Sequence, residues 1–61
     1  MKPKCKLIGE DGNIFNLLGI ASRVLKENHQ DREEAEMKER VMSSSSYTEA
    51  LSIILEYVEA Q

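Results

Sequence analysis

The chain has 61 residues and a formal net charge of −3, from eleven acidic and eight basic side chains. This length allows one domain, and we expect residues 1–61 to form a single small helical domain. Domains of this size often rely on disulfides, metal ions or oligomerisation for stability. A single cysteine and a single histidine exclude an intrachain disulfide and a four-ligand structural zinc site. We therefore expect good helix packing together with self-association.

Charge and hydropathy exclude two further classes of partner. Basic and acidic side chains are interleaved through the middle of the chain, so the sequence offers no basic face for direct binding to nucleic acid. No apolar run approaches the roughly 20 residues of a membrane span, and no signal peptide is predicted. A lone thiol suits a reducing compartment, so we expect a cytoplasmic protein.

The first predicted element is a short β-segment over about residues 4–8, where Lys4-Cys5-Lys6-Leu7 alternates polar and apolar residues. A strand needs a hydrogen-bonding partner. Two partners fit the sequence, the C-terminal residues 58–60 and the same strand of a second copy. With either partner, a small α+β fold is the alternative to a mainly α fold.

A turn follows in the stretch Gly9-Glu10-Asp11-Gly12-Asn13. Asp-Gly is a strong turn signal, and Asn13 is a good N-cap for the next helix, with Asp11 as the alternative. Backbone N–H groups before a helix can also bind an anion, so Gly9, Asp11, Gly12 and Asn13 are the candidate ligand site. The phosphate-loop pattern is absent, and the two carboxylates would repel phosphate.

Three helices are predicted after this turn, over about residues 14–28, 31–43 and 46–58, which makes the fold class mainly α. The first has an apolar stripe at helical spacing, formed by Ile14, Leu17, Leu18, Ala21 and Leu25. The second begins at an Asp31–Glu34 capping box and has a thin apolar edge, formed by Ala35, Met37, Val41 and Met42.

The third helix is predicted to begin at a second capping box, Ser46-Tyr47-Thr48-Glu49. Its apolar stripe comprises Tyr47, Leu51, Ile54 and Val58. Ile53 lies off this stripe. Together with Phe15, Ile20 and Tyr57, it exceeds what a three-helix core of this size easily covers. Because surplus apolar residues mark interfaces, these four residues are the candidate partner-binding set, and a homodimer is predicted.

Catalytic and metal sites are not predicted. His29 and Cys5 are the one conceivable base and nucleophile, but a turn and a whole helix separate them, and no third group would orient the base. His29 is interpreted as a solvated residue at the end of the first helix. The acidic residues of the second helix radiate around it instead of converging on a cation. We therefore expect neither enzymatic activity nor a cofactor.

The segment from Leu7 to Gly19 resembles a pattern, Leu-x-Gly-x-Asp-Gly-Asn-x-Phe-x-Leu-x-Gly, of small uncharacterised proteins from bacteria, phages and other mobile elements. The resemblance continues through a Ser-rich segment before a tyrosine and an ending Glu56-Tyr57-Val58-Glu59. Such relatives carry Ser-Gly-Asp-Tyr where this chain has Ser44-Ser45-Ser46-Tyr47. The resemblance implies an accessory protein of a mobile element, a class that commonly binds and modulates a host protein.

Two functions are therefore expected from the sequence. The first is a small acidic, non-catalytic accessory protein that acts by protein–protein interaction on a host or phage protein, as a homodimer. The alternative is a small-ligand module that holds a nucleotide or similar anion at the turn before the first helix.

Overall fold

Three helices and one pair of short strands make up the fold. A computed structural model describes residues 1–61. The elements follow in the order β1 (Lys4–Cys5), α1 (Ile14–Glu27), α2 (Asp31–Met42), α3 (Tyr47–Tyr57) and β2 (Glu59–Ala60). The predicted mainly helical fold with a short N-terminal β-segment is confirmed, and each helix begins and ends within one residue of its predicted bounds.

The N-terminal strand pairs with the C-terminal end of the chain. β1 and β2 are parallel, with Lys4 opposite Glu59 and Cys5 opposite Ala60. Of the two partners that the sequence left open, the C-terminal one is therefore the partner in the structure. The pairing joins the two ends of the chain across one side of the helices.

β1 is shorter than the predicted segment over residues 4–8 because the chain leaves the sheet early. The N–H groups of Leu7 and Ile8 both donate to the carbonyl oxygen of Gln61, at 3.0 and 3.1 Å, so the ladder ends there. Gly9 then turns the chain with a φ of 87°, a conformation that glycine adopts without strain.

The N-terminal ends of α1 and α3 are capped as predicted. The side chain of Asn13 accepts a hydrogen bond from the N–H of Phe15 at 2.9 Å. The Ser46 hydroxyl accepts one from the N–H of Glu49 at 3.1 Å, and the Glu49 carboxylate accepts from the N–H of Ser45 at 2.9 Å. The bonds to Phe15 and Glu49 satisfy N–H groups that the first turn of a helix leaves free. The Glu49 carboxylate bonds the residue before the N-cap, Ser45, whereas a capping box places this bond on the N-cap N–H of Ser46.

α1 ends in a left-handed residue, His29, with a φ of 59°. Its N–H donates to the carbonyl oxygen of Lys26 at 3.0 Å, and the N–H of Gln30 donates to that of Leu25 at 2.8 Å. This is the Schellman pattern of helix termination, in which glycine is the usual left-handed residue. His29 is exposed, as expected for a helix end.

The predicted Asp31–Glu34 capping box at the start of α2 is wrong. Gln30 is the N-cap residue, and its side chain makes no capping bond. The Glu34 carboxylate instead accepts a hydrogen bond from the hydroxyl of Ser22 on α1. Glu34 is buried, so its carboxylate needs a hydrogen-bond donor. The Ser22 hydroxyl on α1 is that donor, in place of the N–H group at the start of α2 that a capping box would use.

Twelve buried apolar residues form one core between the helices and the strands. α1 contributes the stripe that the sequence predicted, with Leu17, Leu18, Ala21 and Leu25 buried and Ile14 half-buried. In α2, Met37 and Val41 are buried, whereas Ala35 and Met42 are exposed. The core therefore lies closest to the middle of α1 and the second half of α2.

The side of α3 that faces the core matches the predicted stripe only in part: Ile54 and Val58 are buried as predicted. Ala50, Ile53 and Ile54 are its buried residues, whereas Tyr47 is exposed and Leu51 half-buried. Ala50, Ile53 and Ile54 are spaced by three and four residues, so they form a stripe as regular as the predicted one.

Candidate interaction surface

The core leaves a group of large apolar side chains exposed around two neighbouring grooves. We call this group the apolar face; it comprises Ile8, Phe15, Met42, Tyr47 and Leu55. Ile8, Phe15 and Met42 are 69%, 64% and 66% exposed. Exposed apolar residues are ordinary when scattered singly, but a contiguous group marks an interaction site.

The first groove, of about 280 Å³, lies where the start of α1, the end of α2 and the start of α3 meet. Phe15, Met42 and Tyr47 line it together with the buried residues Val41 and Ala50. No charged residue lines this groove. It can therefore accept an apolar side chain without leaving a charge desolvated.

The second groove, of about 260 Å³, lies between the first turn and α3. Ile8, Tyr47 and Leu55 line it, and Glu10 is its one charged residue. Because Tyr47 lines both grooves, the apolar face is continuous. Each groove is smaller than the roughly 300–1,000 Å³ of a typical small-molecule pocket, and both are open to solvent.

Tyr47 is held in place between the two grooves. Its hydroxyl donates a hydrogen bond to the carbonyl oxygen of Gly12 at 2.6 Å. A Cβ added at Gly12 would lie 3.5 Å from this hydroxyl, which is ordinary contact. The bond ties the start of α3 to the turn before α1, so the ring is positioned before any partner arrives.

The four predicted partner-binding residues do not come together on one surface. Phe15 is exposed and belongs to the apolar face. Ile20 and Tyr57 are half-buried and pack against the core. The expectation that Ile53 is surplus is wrong, because the inward side of α3 runs through it and leaves it 7% exposed.

Sequence reasoning missed four members of the apolar face: Ile8, Met42, Tyr47 and Leu55. Tyr47 was assigned to the core stripe of α3 and Met42 to the apolar edge of α2, so their exposure had no sequence signal. A signal for Ile8 existed, because the strand alternation that buries Cys5 and Leu7 places the next residue outside.

A glycine lies one helical turn after Phe15 on the exposed side of α1. A Cβ added at Gly19 would meet nothing within 4 Å, so packing inside the chain does not require glycine there. Glycine in a helix interior costs up to about 1 kcal/mol relative to alanine.

The four residues of the candidate ligand turn lie together, but their polar groups bond within the chain. The Asp11 carboxylate accepts from the N–H of Asn13 at 3.0 Å, and its carbonyl oxygen accepts from the Asn16 side chain at 2.8 Å. Asn13 caps α1, Gly12 accepts from a tyrosine, and Gly9 supplies the left-handed bend. The arrangement holds the start of α1.

Glu34 is the one buried carboxylate. It accepts a hydrogen bond from Ser22 and forms an ion pair with Lys38, whose Nζ lies 3.2 Å from Oε2. The Ser22 hydrogen bond holds the pKa of Glu34 below its ordinary value, against the opposing effect of burial, and Lys38 adds to the lowering. The contact joins α1 to α2.

Arg40 joins α2 to α3 through a second polar cluster. Its guanidinium donates to both carboxylate oxygens of Glu56, at 2.7 and 3.1 Å, and to the Tyr57 hydroxyl at 3.1 Å. Tyr57 in turn donates to Glu36, so the Tyr57 hydroxyl links Arg40 to Glu36. Arg40 lowers the pKa of Glu56, whereas burial and then Glu36 raise the pKa of Tyr57.

The groups considered for catalysis lie in different environments. Cys5 is 1% exposed, and burial raises the pKa of its thiol, which disfavours the reactive thiolate. His29 is exposed at the end of α1. No group of three or more His, Cys, Asp or Glu side chains is placed to hold a metal ion.

No helix has the length and apolar character needed to cross a membrane. Comparison of the chain with protein-family models, curated proteins and solved structures found no match.

Proposed function

We propose that this protein is a non-catalytic interaction protein that works as a homodimer, with the apolar face as the contact between the two copies. One observation carries the proposal: a chain of net charge −3 presents five large exposed apolar side chains around two grooves. Glu10 is the one charged residue that lines either groove. Water contact with such a contiguous group is unfavourable, and burial against a partner removes it.

The absence of charged residues from the first groove suits a second copy as the occupant. Two chains of the same net charge repel one another, so a self-contact is most favourable where the surface carries the fewest charges. The first groove is uncharged, and Phe15 and Met42 project at its rim. A two-fold contact brings the same patch of both copies together, so each projecting side chain meets the groove of the other copy.

The size of the surface fits a contact of this kind. A specific interface covers roughly 800 Å² per partner, which is about a fifth of the 4075 Å² of accessible surface of one copy. The apolar face draws on the turn before α1 and on all three helices. Gly19 lies on α1 near Phe15, where a second backbone could approach without meeting a side chain.

The cellular role that we propose follows from the resemblance to mobile-element proteins. In this proposal the dimer acts in the cytoplasm by binding and modulating a host or phage protein, and it uses no cofactor. The ligand-binding alternative gains no support from the turn, because the polar groups of Asp11 and Asn13 are engaged in holding the start of α1.

Sedimentation velocity of three single variants tests the dimer. Phe15→Glu and Met42→Glu each place a carboxylate on the uncharged part of the apolar face and are expected to give monomers with unchanged helical circular dichroism. Ala35→Glu is the matched control, since Ala35 is an exposed helix residue outside both grooves. Wild-type protein that stays monomeric at about 1 mM, or face variants that dimerise as well as the control, would refute the proposal.

A further inference from the structure

The outer edge of β1 has unpaired backbone groups. The bonds between the strands use Glu59 N–H to Pro3 C=O and Gln61 N–H to Cys5 C=O, both at 2.9 Å. Because successive residues of a strand direct their backbone groups to opposite edges, Lys4 and Lys6 direct theirs away from β2. The backbone N–H and C=O groups of Lys4 and Lys6 form none of the backbone hydrogen bonds in the turns and loops of the chain.

A groove of about 250 Å³ lies next to this edge, between α1 and the segment that follows β1. Ile20 and Val24, both half-buried, form its apolar part, and Lys6, Glu10 and Arg23 line the rest. A strand added to the edge of β1 would lay alternate side chains over Ile20 and Val24. The groove thus supplies side-chain contacts where the backbone supplies hydrogen bonds.

Three basic residues, Lys4, Lys6 and Arg23, lie around this edge, together with two carboxylates, Glu10 in the groove and Glu59 opposite Lys4 on β2. Lys4 and Arg23 form no ion pair, and Lys6 has only an exposed pair with Glu10 at 3.8 Å. Lys4 and Lys6 are both exposed on the solvent side of β1, and Arg23 lies in the adjoining groove. Basic residues therefore outnumber carboxylates around an outer strand edge that offers free donors and acceptors.

We infer that the outer edge of β1 binds an extended acidic segment of another protein, which adds as an antiparallel third strand. Its acidic residues lie opposite Lys4 and Lys6, and its intervening apolar residues cover Ile20 and Val24. Backbone bonds give such a contact its affinity, and the alternating side chains give it specificity. This site is separate from the apolar face and does not depend on the homodimer.

A second copy of this chain is a poor occupant of the same edge. Antiparallel pairing of two β1 strands centred on Cys5 places Lys4 of each copy opposite the second copy's Lys6. Like charges directly opposite one another destabilise a strand pair, and edge lysines are a common device against self-pairing. The same lysines favour a strand that carries carboxylates.

Fluorescence anisotropy with a labelled eight-residue peptide that alternates glutamate and valine tests this inference. Two N-methylated versions of the peptide separate strand addition from charge attraction. Antiparallel pairing directs the glutamate amides toward Lys4 and Lys6 and the valine amides to solvent. Methylation of the glutamate amides is therefore expected to weaken binding at least tenfold, and methylation of the valine amides to leave it nearly unchanged.

Variants of the protein complete the test. Lys4→Glu and Lys6→Glu should each weaken peptide binding, whereas Arg32→Glu, the same charge change at an exposed residue of α2, should have a much smaller effect. Glu10→Gln should strengthen binding because it frees Lys6. Phe15→Glu should leave binding intact, which separates this site from the dimer contact. Equal binding of the two methylated peptides, or no binding of the parent peptide at about 1 mM protein, would overturn the inference.

Discussion

Removal of the Ser22 hydroxyl is expected to destabilise the protein through Glu34. The Ser22→Ala variant leaves a carboxylate that is 7% exposed without its buried donor. A hydrogen bond to a charged group contributes about 1.5–3 kcal/mol, and the better helix propensity of alanine returns up to about 0.5 kcal/mol. With Lys38 still 3.2 Å away, the expected net loss is about 2 kcal/mol. For a domain of this size that lowers the melting temperature by about 8–16 °C.

The pH dependence of this loss follows from the lowered pKa of Glu34. A carboxyl whose pKa is lower in the folded than in the unfolded state contributes stability above its unfolded pKa, about 4.3. That contribution disappears as the pH falls through the lower folded pKa. The difference in stability between wild type and Ser22→Ala should therefore be largest near neutral pH and shrink in acid below about pH 4.

Urea denaturation from pH 7 to pH 3, with Ser52→Ala as the matched control, checks both expectations. Ser52 is an exposed serine inside α3, so its replacement reports the helix-propensity gain without a buried partner. If Ser22→Ala is as stable as Ser52→Ala at pH 7, the hydrogen bond from Ser22 to Glu34 does not contribute to the free energy of unfolding. A difference that stays constant into acid would show that the bond does not favour the ionised carboxylate.

Three further predictions concern the helix ends and the thiol. His29→Gly should raise the free energy of unfolding by about 0.5–1 kcal/mol, since glycine adopts the left-handed φ of 59° without strain; a loss in urea denaturation would contradict this. Tyr47→Phe should lower it by about 1 kcal/mol because the bond to the Gly12 carbonyl is lost, and an unchanged midpoint would argue against that bond. The buried Cys5 thiol should react with iodoacetamide far more slowly in native protein than in urea, and equal rates would show that it is accessible.

The elements that the sequence predicted well are those whose signals are local. Asn13 and Ser46 could be recognised as N-caps because a cap bonds to N–H groups two or three residues away. The inward side of α1 was predictable because polar Asn16, Arg23 and Lys26 occupy its opposite side. In each case the residues that decide the structure lie within one or two helical turns of one another.

The features that sequence reasoning missed depend on contacts between distant segments. α3 is apolar around much of its circumference, at Leu51, Ile53, Ile54 and Leu55, so periodicity alone could not fix its rotation. Packing against α1 and α2 then buried Ile53 and exposed Leu55. The exposure of Tyr47 and Leu55 and the burial of Ile53 follow from that rotation, so the predicted partner-binding set lost Ile53.

The burial of Glu34 was missed for a related reason. A glutamate three residues after an aspartate matches a capping box, and nothing local distinguishes it from a residue that bonds to another helix. Its actual donor, Ser22, is twelve residues away. The choice between the two partners of β1 was also non-local, because the strand pairs with the far end of the chain.

An isotope-filtered NOE experiment tests the proposed homodimer most directly. Mixing ¹³C-labelled and unlabelled protein at a concentration that supports dimers selects contacts between copies alone. The proposal predicts intermolecular NOEs from the Phe15 ring to the Met42 methyl group and to other residues of the two grooves. Intermolecular NOEs at a different surface, or none at all at millimolar concentration, would contradict it.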